Sequence, residues 1–334
     1  MAAIFPVTSA QAAGNLATTD SYSGKFIPAI WSAKLNEKFY AASVFGEIAN
    51  TNWEGEINAY GDKVYINTAP TLAINNYSAG AALTYEVPIP NMQEMLIDKG
   101  KYFAFQINDV LGFQSKIGLM DMFAADAGEQ MRISIDSTVI YNTLFNCAAA
   151  NKGATAGAKS ASYDLGTDLA PVALSATTVL GHVLNLASVL DEQNVPETDR
   201  YLVIDPLTRS LLFQSDLAKA YATGDSSSPV RNGRIGMIDR FTVYVSNQLP
   251  RAAAGTATPW VSGDGSENSI TSTGTDLKRR AIIAGHKSAI TFASQITKME
   301  TVRNTADFGD YIRSLNVYGY KTVAPTALAT MIVA

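Results

Sequence analysis

One stretch constrains this chain more than any other. Between residues 109 and 146, Phe113, Ile117, Met120, Ala124, Ala127, Met131, Ile135 and Val139 recur at every third or fourth position. Apolar residues at that spacing lie on one face of an α-helix. At ~1.5 Å per residue the helix would reach roughly 50 Å, with Gly112 and Gly118 able to break its first turns. A helix of that length acts as a spine for other elements, which counts against a β-rich adhesin. Its Met and Phe stripe reads as core packing and not as a cofactor pocket.

The second constraint is charge. Hydrophobic residues make up 47% of the 334 positions and charged residues only 16%, where soluble domains usually carry about one-quarter. A surface that poor in charge is covered by a membrane or by other protein. No uncharged apolar run approaches the roughly 20 residues of a spanning helix. The first residues, MAAIFPVTSAQAAGNLATTD, have neither the basic start nor the long apolar core of a secretory signal. No membrane partner is expected, which leaves contact with other protein. The net charge of −5 argues against a protein that holds nucleic acid by phosphate contacts. It suits a container wall to which a polyanion does not adhere. With Cys147 the only cysteine, an intrachain disulfide and a cysteine metal cluster are both excluded.

Residues 1–26 are rich in Ala, Thr and Ser, with Asp20 and Lys25 their only charged residues. They read as an arm ordered only against a partner, with Ile4 and Phe5 as candidate intersubunit contacts. Pro28 opens an amphipathic helix over 28–42, on which Ile27, Trp31, Leu35 and Phe39 share a face. Val64 and Ile66 then alternate as a strand, and KYFAFQIND (101–109) reads as a second. Between them, residues 68–98 hold Pro70, Pro88 and Pro90, three acids and no Lys or Arg. Leu72, Ile74, Tyr77, Leu83, Tyr85 and Val87 appear there without helical period. The pattern describes a protruding two-stranded loop, which is marginal in water by itself. Its apolar residues land either on the chain's own core, as an ordinary β-subdomain, or on a neighbouring subunit. The missing bases favour the second.

A Gly, Ala and Ser rich loop at 148–170 leads into a second lobe. Ser175 is placed to cap a helix carrying Val179, Val183, Leu186 and Leu190, which stops before Pro196. YLVID is a buried strand, and Asp205-Pro206 opens a helix over 206–220. A hairpin spans 235–245, and 251–277 read as an exposed loop insertion. Strands recur at 280–294 and 311–322, and the apolar end ALATMIVA is expected to dock as a strand.

Chemistry finds little footing. Asp205 reads as a helix cap, and Asp191, Glu192, Glu197 and Asp199 as a solvated turn. His182 and His286 read as packing residues and Cys147 as a buried inert thiol. No HExxH, GxSxG or GxxxxGK[ST] motif occurs. No catalytic, cofactor-binding or metal-binding residue is expected, and the chain is not expected to be an enzyme.

Three stretches, in this order, carry a likeness: FIPAIWSAKLNEKFYAASVFGEIANTNWEGEI with GDKVYINT; LMDMFAADAGEQMRISIDSTV; and LDEQNVPETDRYLVIDP with GRIGMIDRFTVYVSNQLP. They resemble the major capsid (coat) proteins of tailed bacteriophages, over about residues 25–334. Arg240 departs from the small residue that relatives often carry there, which puts local packing in question. The resemblance implies the α+β tailed-phage and herpesvirus capsid fold. It would place an N-terminal arm at 1–26 and an extended loop at 55–105. A peripheral domain would comprise 27–54, 106–150 and 296–334 with spine helix 109–146, and an axial domain 151–295. It further implies pentamers and hexamers tiling an icosahedral shell around double-stranded DNA bound without sequence specificity, with procapsid maturation. The location implied is the virion, after synthesis and assembly in the host cytoplasm. Portal protein and a decoration protein are candidate partners. With only 26 residues before the first helix, the scaffolding protein is expected to be separate. With no lysine in 68–98, and Lys63, Lys99 and Lys101 at the loop's roots, no isopeptide crosslink is expected. A nanocompartment shell of the same fold, storing an enzyme cargo, is the alternative.

Overall fold

The computed structural model describes residues 43–52, 63–68, 70, 72–76, 78–80, 82, 85–89, 91–108, 119–215, 236–252, 259–261, 267–271, 279–304 and 308–334. The arm at 1–26, the helix at 28–42 and the first turns of the spine at 109–118 lie outside these residues. In chain order the elements are α1 (Phe45–Ile48), β1 (Lys63–Thr68), β2 (Asn91–Leu96), β3 (Lys99–Asn108), α2 (Leu119–Leu144) and α3 (Val179–Glu192). They continue with β4 (Arg200–Ile204), α4 (Pro206–Gln214), β5 (Met237–Ile238), β6 (Phe241–Val245), β7 (Arg251–Ala252), β8 (Pro259–Val261) and β9 (Glu267–Thr271). The last are β10 (Arg280–His286), β11 (Ile290–Arg303), β12 (Gly309–Thr322) and β13 (Leu328–Val333).

The larger sheet runs β5-β6-β4-β10-β7-β8-β9, with β13 on the other edge of β10. β4 and β6 are parallel, and β10 is antiparallel to β4 and β13. All five residues of β4 are buried, as are Ala281 to Ala284 of β10. Strands buried on both faces read as continuous apolar runs, which is why YLVI and AIIA lack alternation. α3 presents Val179, Val183, Leu186 and Leu190 to this core. Ser175 is not its cap. The Ser175 carbonyl accepts the Val179 N–H at 3.0 Å, so a turn over 175–178 precedes the helix.

The smaller sheet, β11-β12-β3, is antiparallel throughout. α2 joins the two sheets. Its C-terminal half buries Ile135, Val139, Ile140 and Leu144, and the Thr330 hydroxyl of β13 donates to the Leu144 carbonyl. Its N-terminal half lies over β3, where the Phe123 ring meets Phe105 edge-on at 6.1 Å. Lys101 of β3 donates to the Ser134 carbonyl and to the Thr138 hydroxyl, both at 2.8 Å. The carboxylate of Asp136, also on α2, accepts the N–H groups of Val44 and Phe45, pinning the segment that leads into α1.

Three further expectations are corrected. β1 does not pair with 101–108; it pairs with β2, Lys63 opposite Leu96 through Thr68 opposite Asn91, while β3 pairs with β12. Residues 91–96, NMQEML, are mostly helix formers and give no strand signal in isolation. Residues 251–277 are not a plain loop insertion. They supply β7, β8 and β9, whose Trp260, Val261 and Ile270 are strand formers set among turn residues. Residues 296–334 do not stay together. Up to Thr322 they extend the smaller sheet, and β13 completes the larger one.

Candidate assembly interface

The chain between β1 and β2 carries its apolar side chains outward. Ile74, Tyr85, Val87 and Ile89 are 93%, 89%, 82% and 81% exposed, and Leu72 is half-exposed. Glu86 holds the two limbs of this loop together by accepting the Ala73 N–H at 3.1 Å. Within the described residues nothing covers these side chains. Ile4, Phe5, Tyr77 and Leu83 lie outside the described residues.

Exposed apolar side chains continue onto two sheet faces that the sequence reading did not single out. In the β1–β2 hairpin, Val64, Ile66 and Met95 are buried, and Ile97 just after it, while Tyr65, Met92 and Leu96 face away from the body. In the smaller sheet, α2 covers one face. The other carries Tyr102 opposite Leu315 and Tyr311 opposite Val302, all exposed. The alternation in KYFAFQI could have exposed Tyr102. The remaining partners depend on strand register, which one sequence does not show.

The lysines at the loop's roots are held within their own chain. Lys63 pairs with Glu94 at 2.6 Å and Lys99 with Asp98 at 2.9 Å. The hydrogen bond from Lys99 holds the Asp98 carboxyl below its ordinary range. Lys101 is engaged by α2 as described.

The residues weighed for chemistry take structural roles. Asp205 caps α4, accepting from Leu207 N–H at 3.2 Å, Thr208 N–H at 3.3 Å and the Thr208 hydroxyl, and it pairs with Arg280 at 2.8 Å. His286 Nδ1 accepts the Ser288 N–H at 3.2 Å and closes the turn between β10 and β11. Burial lowers the pKa of both His182 and His286 and raises that of the Cys147 thiol. Among the described residues no group of three His, Cys, Asp or Glu could hold a metal ion.

The acidic cluster lies at an exposed turn, as expected, and ion pairs tie it to its surroundings. Asp191 pairs with the buried Arg200 at 2.7 Å and with Arg240 at 3.1 Å, and Arg240 reaches Glu197 at 3.1 Å. Glu192 accepts from the N–H groups of Lys159 at 2.7 Å and Ser160 at 3.1 Å, which lowers its pKa. Arg240, the departure whose packing stood in question, is thus the cation that joins the β5–β6 turn to the end of α3. Burial pushes the Asp136 carboxyl up to about 6, against the pull of its two backbone N–H partners and of Arg132.

A sequence profile of the family described as phage capsid protein matches residues 93–331. No curated protein matches the chain. Among solved structures, one from Mycobacterium phage Che8 is 24% identical and covers 91% of this chain and 96% of its own, with a TM-score of 0.68. The capsid structure of the cyanophage P-SCSP1u is 17% identical and covers 99% of both chains, with a TM-score of 0.67. The mature capsid of bacteriophage PhiM1 is 16% identical over 91% of this chain and 90% of that one, with a TM-score of 0.62. At these identities the likeness is one of fold.

Proposed function

The chain belongs to the phage capsid protein family, with the tailed-phage capsid fold and a structural role in the capsid, and from that premise we propose that it self-assembles into pentamers and hexamers of an icosahedral shell around double-stranded DNA. The observation that carries the proposal is the loop between β1 and β2, whose apolar side chains nothing among the described residues covers. Burying a Val, Leu or Ile side chain is worth about 1.5–3 kcal/mol gross. Ordering the loop and fixing two subunits together offsets much of that. Each contact is therefore modest, and a shell gains its stability by repeating it around closed symmetry.

In this reading residues 1–26 are the arm and the β1–β2 hairpin with its loop is the extended loop. α2 with the smaller sheet forms the peripheral part, and the larger sheet forms the axial part. Ile4, Phe5, Leu72, Ile74, Tyr77, Leu83, Tyr85 and Val87 are the proposed intersubunit contacts. The partners are further copies of the chain, a scaffolding protein, a portal protein, a decoration protein and the packaged genome. Assembly takes place in the host cytoplasm. The engagement of Lys63, Lys99 and Lys101 supports a shell without isopeptide crosslinks. Purified particles should run as monomers on a denaturing gel, and a ladder of multimers would overturn that point.

The test is to replace Tyr85 and Val87 with Asp, express the chain with a scaffolding partner, and image the product. The unaltered chain should give uniform shells with fivefold and sixfold capsomers. The variant should give folded subunits and few or no shells. Normal shells from the variant, or only monomers from the unaltered chain, would sink the proposal.

A further inference from the structure

The hairpin formed by β1 and β2 is held to the body in an unusual way. β3 pairs with β12 from Gly309 to Tyr318 and stops there. Beyond that point the hairpin lies over the face of β12 that carries Val317, Gly319, Lys321 and Val323, and it forms a sheet of its own with no regular ladder to β12. Three contacts take the ladder's place. Gln93 Nε2 donates to the Val323 carbonyl at 3.1 Å, and Lys321 Nζ donates to the Glu94 carbonyl at 2.7 Å. At Gly319 the two chains approach so closely that a β-carbon would collide with the Leu96 carbonyl oxygen and lie 3.1 Å from Ile97 Cα. Beneath them Val64, Ile66, Met95 and Ile97 close on Ala293, Val317 and Val323.

A ladder fixes a strand's direction through many equivalent backbone bonds. Here direction depends on two side-chain tethers, the apolar contact beneath them and one missing methyl group. A six-residue strand is roughly 20 Å long, so a small lift at its root is carried outward to the loop. We propose that this seat, with Gly319 at its tightest point, sets the direction in which the hairpin leaves the sheet, and through it the angle between neighbouring subunits. The inference rests on the reading of the loop as the intersubunit contact. Gly319 is a positioning residue in that scheme, since its role is exercised through the hairpin.

The experiment separates the seat from the shell. Spin labels on Ile74→Cys and Ala125→Cys report the distance between loop and spine helix by pulsed electron resonance on the full-length free subunit. The native Cys147 is buried and should stay unlabelled. Gly319→Ala should shift that distance distribution, and Gly319→Val should shift it further, each with a change in particle diameter or a severalfold loss of particles. Lys321→Met combined with Gln93→Leu removes the tethers without adding bulk and should broaden the distribution, which keeps the test open should the Gly319 variants fail to fold. Distributions unchanged in centre and width would overturn the seat. A shifted distance with particles of unaltered diameter and yield would overturn its link to subunit angle and leave the shell reading standing. Absence of particles from the unaltered chain would instead count against the shell reading.

Discussion

Ile283 in β10 and Ile74 in the loop between β1 and β2 are the same residue in opposite circumstances. Ile283 has no exposed surface, and Ile74 is 93% exposed. The contrast extends to their surroundings. Around Ile283, Leu202, Val203, Met331 and Ala284 are all buried in one continuous core. In the same loop as Ile74, Tyr85, Val87 and Ile89 are exposed as well. An apolar group that a chain does not cover is a surface whose cover comes from elsewhere. The larger sheet is the subunit's buried core, and the loop is the surface proposed to meet a neighbouring copy.

Identical substitutions at the two sites give the sharpest test. Ile283→Ala should lower the unfolding free energy of the subunit by about 2–5 kcal/mol, read from denaturant midpoints. A loss below about 1 kcal/mol would mean that the larger sheet is not the dominant core.

The next effect concerns pH and belongs to the join between the regions, where Asp136 of α2 holds Val44 and Phe45. Its folded pKa of about 6 lies above the ordinary 3.8, so the folded state binds this proton more tightly than the unfolded one. Stability from this source is full below the ordinary value and is lost as pH rises through about 6. Asp136→Asn removes the titration. The unaltered chain should gain about 2–3 kcal/mol relative to the variant between roughly pH 7 and pH 4. Parallel stability curves for the two proteins would refute the assignment.

A smaller effect is expected at the end of α3. Arg240→Ala removes partly exposed pairs with Asp191 and Glu197 and leaves Asp191 on Arg200. The loss should be about 0.5–1 kcal/mol in low salt and should shrink in 1 M salt. The smallest effect returns to the loop. Ile74→Ala should change subunit stability by less than about 0.5 kcal/mol while reducing particle yield. Destabilisation beyond about 1 kcal/mol would show that the loop is core of its own chain, and the comparison with Ile283 would fail.

Where the sequence speaks locally, it was legible. The stripe through Ala124, Ala127, Met131, Ile135 and Val139 lies in α2 and sinks into the core toward its C-terminal end. The Asp205-Pro206 pair caps α4, and the apolar end of the chain docks as β13. Features that depend on distant partners were not legible. β2 is a strand only because Lys63 to Thr68 supply its ladder. Arg240 finds Asp191 across 49 positions of sequence. The tightness at Gly319 exists only because β2 crosses there. At the candidate interface, the exposure of Leu72, Ile74, Tyr85 and Val87 was legible in composition, because prolines and missing bases mark that segment. The outward faces carrying Tyr65, Met92, Tyr102 and Leu315 were not, since which side of a strand faces out is decided by pairing.

β13 has a consequence in time. Residues 328–333 are translated after every other described strand, yet they occupy one whole edge of β10 and bury Leu328, Met331 and Val333. Until they emerge from the ribosome, the strand at the heart of the larger sheet has an open edge, the kind of surface that invites wrong pairing. The loop is synthesised long before the body that must carry it is complete. Exposed apolar side chains of the loop are thus made before the larger sheet can close, because the partner of β10 follows it in the chain.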